Sequence, residues 1–435
     1  MTDLLFRSVL LPDGRTTDLA VRDGRLIDPA DVSAPRVVDV AGSRVLPGLV
    51  DLHTHLREPG GEAAETIASG TAAAARGGYT AVFAMANTTP VADSPAAIAD
   101  VAERALGASA EVVPIGAVTR ELGGSQIAPL EEMHALGVTV YSDDGHCVAN
   151  TDVMREVFER IRCFGGVVAQ HSQDPVLAPA AACCHDPSVA LDYGLVEWPP
   201  TAESVIVARD VQLAQETGAR LHVCHVSSAE SVEIIRWAKQ RGVAVTAEAT
   251  PHHLLLGSGE VPASAPDRAS GPDPLYKVNP PLTDNEHIAA LRQGVADGTI
   301  DVIATDHAPH PADAKRRPFA TAKPGMLGLE QSLAVVIATL VEPGLLDWVG
   351  VADRMSLAPA RIGSIPDRQG RPLTVGEPAT FVLIDPTRRG VVPTTGRSIA
   401  HNNPYAHREL PDPVLATLWN GRVTWADPAL GLVPA

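Results

Sequence analysis

Short apolar, β-branched runs recur along the whole chain, but the spacing between them changes. From residue 1 to 46 the runs 4–11, 19–22, 25–27 and 37–40 follow one another closely. Asp13-Gly14 and Asp23-Gly24 supply turn signals between the first three, so this stretch predicts short strands joined by tight turns. Residues from about 370 to 435 read the same way, with runs at 379–383, 414–420 and 422–425. In the middle, apolar runs at 48–52, 80–85, 111–118, 138–141, 167–170, 220–224, 243–247 and 301–304 alternate with helical stretches. Ser94-Pro95 is one helix start, the serine suited to cap the first turn and the proline to its first position. Eight strand–helix repeats predict an α/β fold, a (β/α)8 TIM barrel over 47–355. An open doubly wound sheet fits less well, because no glycine-rich phosphate loop follows the first run. The two β-rich ends, 1–46 and 356–435, are expected to pair as a small β-sandwich appendage, since the termini of a domain often lie close together.

Composition narrows the function. Of 435 residues, 45% are hydrophobic and 20% charged, as in a globular enzyme. No apolar run approaches the roughly 18–20 residues of a membrane span, and Met1-Thr2-Asp3 opens no secretory signal, so the cytoplasm is the expected location. A net charge of −18 argues against a nucleic-acid partner, which requires clustered cations, but leaves room for a small anionic substrate. Lysine occurs only at 239, 277, 315 and 323. The five cysteines include no C-x2-C pair, and Cys183-Cys184 is expected to be a pair of ordinary small residues rather than a redox couple.

In such a barrel the chemistry sits at the C-terminal strand ends. The first run ends in His53-Thr54-His55, whose alternation points both imidazoles to one face. The fourth ends at Asp143-Asp144, the fifth at His171, the sixth at His225 and the eighth at Asp306. An isolated H-x-H or a lone strand histidine is more often structural than ligating. Four histidines and two aspartates converging on one rim are the N/O ligand set that Zn2+ selects. Six ligands suit two ions: His53, His55 and Asp306 on one, His171 and His225 on the other, with Asp144 and a hydroxide as the bridge. Two Zn2+ facing two carboxylates and a hydroxide keep a net positive charge that polarises a carbonyl and acidifies water. Asp306 is then the expected general base and acid. By the same alternation His222 points outward, toward the helices, and His307 away from the ions. His252 and His253 read as structural or supporting residues.

Several segments resemble the dihydroorotases of the amidohydrolase superfamily. They are Asp51-Leu52-His53-Thr54-His55-Leu56-Arg57-Glu58-Pro59-Gly60, Met85-Ala86-Asn87-Thr88, Thr250-Pro251-His252-His253, Lys277-Val278-Asn279-Pro280-Pro281 and Ala304-Thr305-Asp306-His307-Ala308-Pro309-His310. The resemblance spans essentially the whole chain and is closest to the class I bacterial type, whose metals are bridged by aspartate. A carboxylated-lysine bridge, as in hydantoinases, is closed off because no lysine precedes Lys239. The resemblance implies reversible hydrolysis of (S)-dihydroorotate to N-carbamoyl-L-aspartate in pyrimidine biosynthesis. It implies that Arg57 and Asn87 hold the substrate carboxylate, aided by His55, and that Asn279 positions the ring. His310 and the loop through Pro324 and Gly325 would cover the substrate. A homodimer is expected, and association with aspartate transcarbamoylase stays open. Two alternatives also stay open: another cyclic amidase, which would need no carboxylate-binding arginine, and a non-catalytic scaffold, which would have lost metal ligands.

Overall fold

The computed structural model describes residues 3–40, 42–263 and 271–434. Its centre is a set of short parallel strands. Leu49–Thr54 pairs with Tyr79–Ala84, and that strand with Glu111–Pro114. Val140–Tyr141 pairs with Val167–Gln170, followed in order by Arg220–Val223, Val245–Ala249 and Val302–Ile303. Two isolated parallel bridges, Gly116 to Tyr141 and Thr54 to His307, join the two groups at both ends, so the parallel pairing runs in a circuit. Each of the expected central strands is present within a few residues of its expected bounds.

The strands are short and mostly buried, Leu49–Thr54, Tyr79–Ala84 and Val167–Gln170 at every position, because helices cover them. Ser94 accepts from Ala97 N and Pro95 opens the helix Pro95–Arg104, as that dipeptide predicts. Thr151–Arg162 turns Met154, Val157, Phe158 and Ile161 inward at helical spacing, and Asn150 caps it. A second apolar cluster lies among the strands themselves: Val50, Leu52, Phe83, Ile115 and Val302 pack with Ala358, Ala360, Ile362 and Ile365. Residues 358–365, expected in the appendage, therefore share a core with the strand circuit. Apolar burial, which does not respect a boundary drawn by strand spacing, places them there.

The two chain ends meet in one eight-stranded sheet. Leu4–Leu10, Thr16–Arg22, Arg25–Ile27, Arg36–Asp39 and Arg44–Pro47 come from the N-terminal side. Phe381–Ile384, Val414–Trp419 and Arg422–Ala426 come from the C-terminal side. The junction is antiparallel, with Phe381 opposite Pro47 and Ile384 opposite Arg44. Asp23 and Gly24 both take positive φ, 47° and 80°, as the two-residue hairpin turn requires. The sheet has its own apolar cluster, centred on Phe6 and Phe381, whose rings meet edge to face at 5.5 Å. Cys183 and Cys184 are buried free thiols. No helix among the described residues is long and apolar enough to cross a membrane.

Candidate metal centre

The six side chains singled out at the strand ends meet at one point. Asp144 is at its middle and is buried. One carboxylate oxygen, Oδ2, lies 3.4 Å from His53 Nε2 and 3.4 Å from His55 Nε2. The other, Oδ1, lies 3.3 Å from His171 Nδ1 and 3.2 Å from His225 Nε2. Those two imidazole nitrogens are 2.9 Å apart. Asp306 Oδ1 stands 3.0 Å from His55 Nε2 and 3.5 Å from His53 Nε2. The carboxylate of Asp144 is thus shared between two pairs of histidines, with Asp306 on the His53–His55 side.

Local backbone aims these groups. The register between Leu49–Thr54 and its neighbour slips between Asp51 and Thr54, so strict alternation is interrupted just where His53 begins. Leu52 packs in the inter-strand cluster while His53 and His55 still reach the centre. His225 (φ 30°), Asp306 (φ 46°) and Arg57 (φ 60°) all adopt left-handed backbone, a strained state that concentrates at functional sites.

Surrounding groups hold the imidazoles. Glu248 was not anticipated: its Oε1 hydrogen-bonds His53 Nδ1 at 2.6 Å and accepts from His225 N at 3.0 Å. That leaves His53 Nε2 to face the centre, where it is buried without a hydrogen-bond partner. The second oxygen of Glu248 meets His222 Nε2 at 2.9 Å. His222 therefore faces inward beneath the centre rather than toward the helices. The expectation failed because His225 lies beyond the strand end at Val223, in left-handed backbone, so counting by twos from one to the other carries no meaning. Asp51 accepts from His53 N and Thr305 N, tying the first strand to the eighth. Asn87 Oδ1 meets His55 Nδ1 at 3.0 Å. His307 turns away, toward Glu65 at 3.3 Å. His253 is held by Thr250 and Pro280, whereas both nitrogens of His252 are buried without a partner.

The electrostatics favour a cation. Burial alone would raise the Asp144 carboxyl, but the charge of His53 and hydrogen bonds from His171 and His225 hold it well below the carboxylate range. Asp306 is likewise held at about 2, burial being outweighed by His53 and His55. Burial opposes charge on His53 too, yet Asp144 and Glu248 push it well above its ordinary value. The donor set therefore favours positive charge at a largely buried point. His53, His55 and Asp306, and separately His53, Asp144 and His225, each bring ligand atoms within 4.8 Å of one another, close enough to share an ion. An orphaned imidazole nitrogen, ionised carboxylates and all-N/O donors fit a divalent metal.

A pocket of 240 Å³ opens over this centre, lined by Arg57, Asn87, Asn279, His310, Pro324 and Gly325 among others. Arg57 Nε donates to Pro309 O at 3.1 Å. Burial lowers its guanidinium to about 10, still a cation at neutral pH. Glu58, a carboxylate it might have paired with, instead binds Arg104, and Glu62 accepts from Gly60 N. Asn279 Nδ2 reaches His171 Nε2 and Gln173 Oε1, while its Oδ1 is buried and unpartnered. His310 Nε2 is 2.7 Å from Pro324 O. Gly325 takes φ 140°, and a Cβ there would sit 2.8 Å from His310 Nε2. Only glycine lets the loop lie this close.

Comparison with known proteins points the same way. A family described as Dihydro-orotase-like matches residues 42–231. A dihydroorotase of Streptomyces coelicolor is 48% identical, covering 98% of this chain and 99% of its own. One from Mycobacterium tuberculosis is 47% identical over 95% and 96%. Among solved structures, an L-hydantoinase (dihydropyrimidinase) from Arthrobacter aurescens superposes with a TM-score of 0.84 at 24% identity, covering 97% of this chain and 96% of that one. At that identity the likeness concerns the fold.

Proposed function

The chain belongs to the dihydroorotase family, and from that premise we propose how its own residues carry out the reaction. It is a cyclic amide hydrolase of pyrimidine biosynthesis, interconverting (S)-dihydroorotate plus water with N-carbamoyl-L-aspartate. The observation that carries the residue-level reading is the division of Asp144, one oxygen to His53 and His55 and the other to His171 and His225. We assign these five residues and Asp306 as ligands of two zinc ions, with Asp144 as the bridge. When bound, the ions polarise the ring carbonyl and lower the pKa of water.

The remaining roles belong to side chains. Arg57 presents a fork suited to the substrate carboxylate, and its lack of a carboxylate partner among the described residues supports that role. Asn87 steadies His55 and faces the same pocket. The buried, unpartnered Oδ1 of Asn279 suits a ring N–H. Gly325 and Pro324 bring main-chain groups over the ring, held by His310. Asp306, kept ionised beside His55, takes a proton from the attacking water and passes it to the ring nitrogen as the C–N bond breaks. The product is a carboxylate and a free ureido group. Glu248 orients His53 and His225.

The circuit of parallel strands supports a (β/α)8 barrel, with its site at the C-terminal ends, and the terminal sheet supports a β-rich appendage beside it. Metal analysis of the purified protein, paired with a dihydroorotate hydrolysis assay, tests the whole reading. The expected result is two zinc per chain and turnover abolished by chelation. Metal-free protein that stays inert after zinc is added would overturn it. A panel that includes hydantoin and allantoin reads the Arg57 assignment, since neither carries the carboxylate.

A further inference from the structure

An exception to the chain's acidic character lies directly beside the metal pocket. A second cavity, of 590 Å³, adjoins it, and Gly145, Asn279, Lys323 and Pro324 line both. Its other walls come from residues 122–124, 146–147 and 320–322 and from Gln173, Pro175, Ala178, Cys183 and their lining neighbours, with Asp174 between Gln173 and Pro175 in the chain but not in the wall. Lys277, Arg317 and Lys323 are in these walls, and among the described residues no aspartate or glutamate lines them. The chain as a whole has 52 acidic residues against 34 basic ones, and half of its four lysines line this one cavity. Lys277 gives its ammonium to Ala320 O and stands 5.7 Å from the Phe319 ring centre. Arg317 and Lys323 are exposed and have no ion-pair partner among the described residues.

A third lysine, Lys315, builds the wall. Its ammonium donates to Lys277 O at 3.1 Å, Lys323 O at 3.1 Å and Gly325 O at 3.0 Å. The backbones that carry two of the lining cations are thereby tied together and to the glycine over the metal pocket. Neighbouring cations repel, and no acidic side chain among the described lining residues offsets that repulsion. An anion arriving from solvent is what the arrangement serves. The far field of a chain with net charge −18 repels such an anion, and a local acid-free patch reverses the sign where it matters.

We propose that this cavity is an anion vestibule, the chamber through which carboxylate substrates enter and leave the metal pocket, with Arg317 and Lys323 as the groups that draw them in. The proposal rests on the dihydroorotase reading. The ring form carries one carboxylate and the open-chain form two, so the open-chain dicarboxylate is drawn more strongly.

Three paired variants test it in the metal-loaded enzyme: R317Q with K323Q, R317E with K323E, and R317K with K323R. In the wild type, kcat/KM falls as salt is added. The neutral pair lowers kcat/KM by about five- to tenfold at low salt and flattens its salt dependence. The fall is the same in both directions, because the equilibrium constant is fixed, and it resides mainly in KM for the dicarboxylate. The reversed pair falls further, and the charge-conserving pair keeps both rate and salt slope. A neutral pair within about twofold of wild type, with the same salt slope, overturns the vestibule. So does an equal loss in the charge-conserving pair, since shape rather than charge would then be responsible. Calorimetric binding of succinate, a dicarboxylate that cannot cyclise, reads the same charge effect without turnover. Charge-dependent succinate binding in a protein inert toward dihydroorotate would sink the functional reading and leave the vestibule standing, and succinate binding indifferent to the variants would sink the vestibule.

Discussion

The terminal sheet and the metal centre are both built from buried groups, yet they are held in opposite ways. Around Phe6 and Phe381 the buried groups are hydrocarbon, and burial itself is the stabilising force. Around Asp144 the buried groups are carboxylates and imidazoles, for which burial is a penalty that opposite charge and hydrogen bonds offset. A fold can complete the first region by packing alone. The second brings together ligand atoms that could hold a cation, and that contrast marks it as the candidate place where chemistry is done.

The sharpest break should come from Asp306→Asn. Proton transfer is typically worth about 10²–10⁴-fold, so hydrolysis of dihydroorotate should fall by that much while metal content and melting temperature stay near wild type. Retention of more than about a tenth of the rate would remove Asp306 as proton carrier.

Phe381→Ala should do the reverse. Truncating this fully buried ring costs about 3–5 kcal/mol in unfolding free energy, read by denaturant titration, with kcat per folded molecule preserved. Loss of kcat without loss of stability would mean that the two regions are not independent.

Glu248→Gln should have a smaller effect than either. It keeps the shape but removes the charge that orients His53, so metal affinity or activity should drop about 10–100-fold. An unchanged zinc affinity and rate would make Glu248 a spectator.

The smallest effect is expected at Lys315. Burial and the charge of Lys277 pull its ammonium down to about 7. Below that pH three N–H donors meet three carbonyls; above it the amine has two donors and a lone pair that faces one carbonyl. KM should therefore rise a few-fold as pH climbs through about 7. Lys315→Met should show the raised KM at every pH and lose the inflection. A wild-type inflection that survives in the variant would have to come from another group.

Much of this molecule was legible beforehand. His53, His55, Asp144, His171, His225 and Asp306 each terminate a β-branched run, and a parallel circuit brings such ends to one rim. Arg57, Asn87 and the loop through Gly325 came from resemblance, and the structure puts them at the same pocket. The sequence does not signal Glu248: the seventh apolar run ends at residue 247, whereas the strand extends to Ala249. A single glutamate in an apolar run has no spacing partner to betray it. His222 was assigned the wrong face because alternation was carried past a strand end into left-handed backbone. The three lysines around the vestibule were visible as residues, but their gathering at one cavity was not.

By itself, the order of residues determined where strands begin, where helices are capped and which chemical groups stand at the strand ends. Those are short-range matters, set by side-chain alternation, turn geometry and hydrogen bonds within a few positions. Tertiary structure alone decided that Asp144 divides its oxygens between histidine pairs from three strands, that Glu248 stands behind His53, and that Arg317 and Lys323 line a cavity with no acid among its described lining residues. Such relations depend on distance through space, because Coulomb energy and desolvation act between groups that lie tens to hundreds of residues apart along the chain.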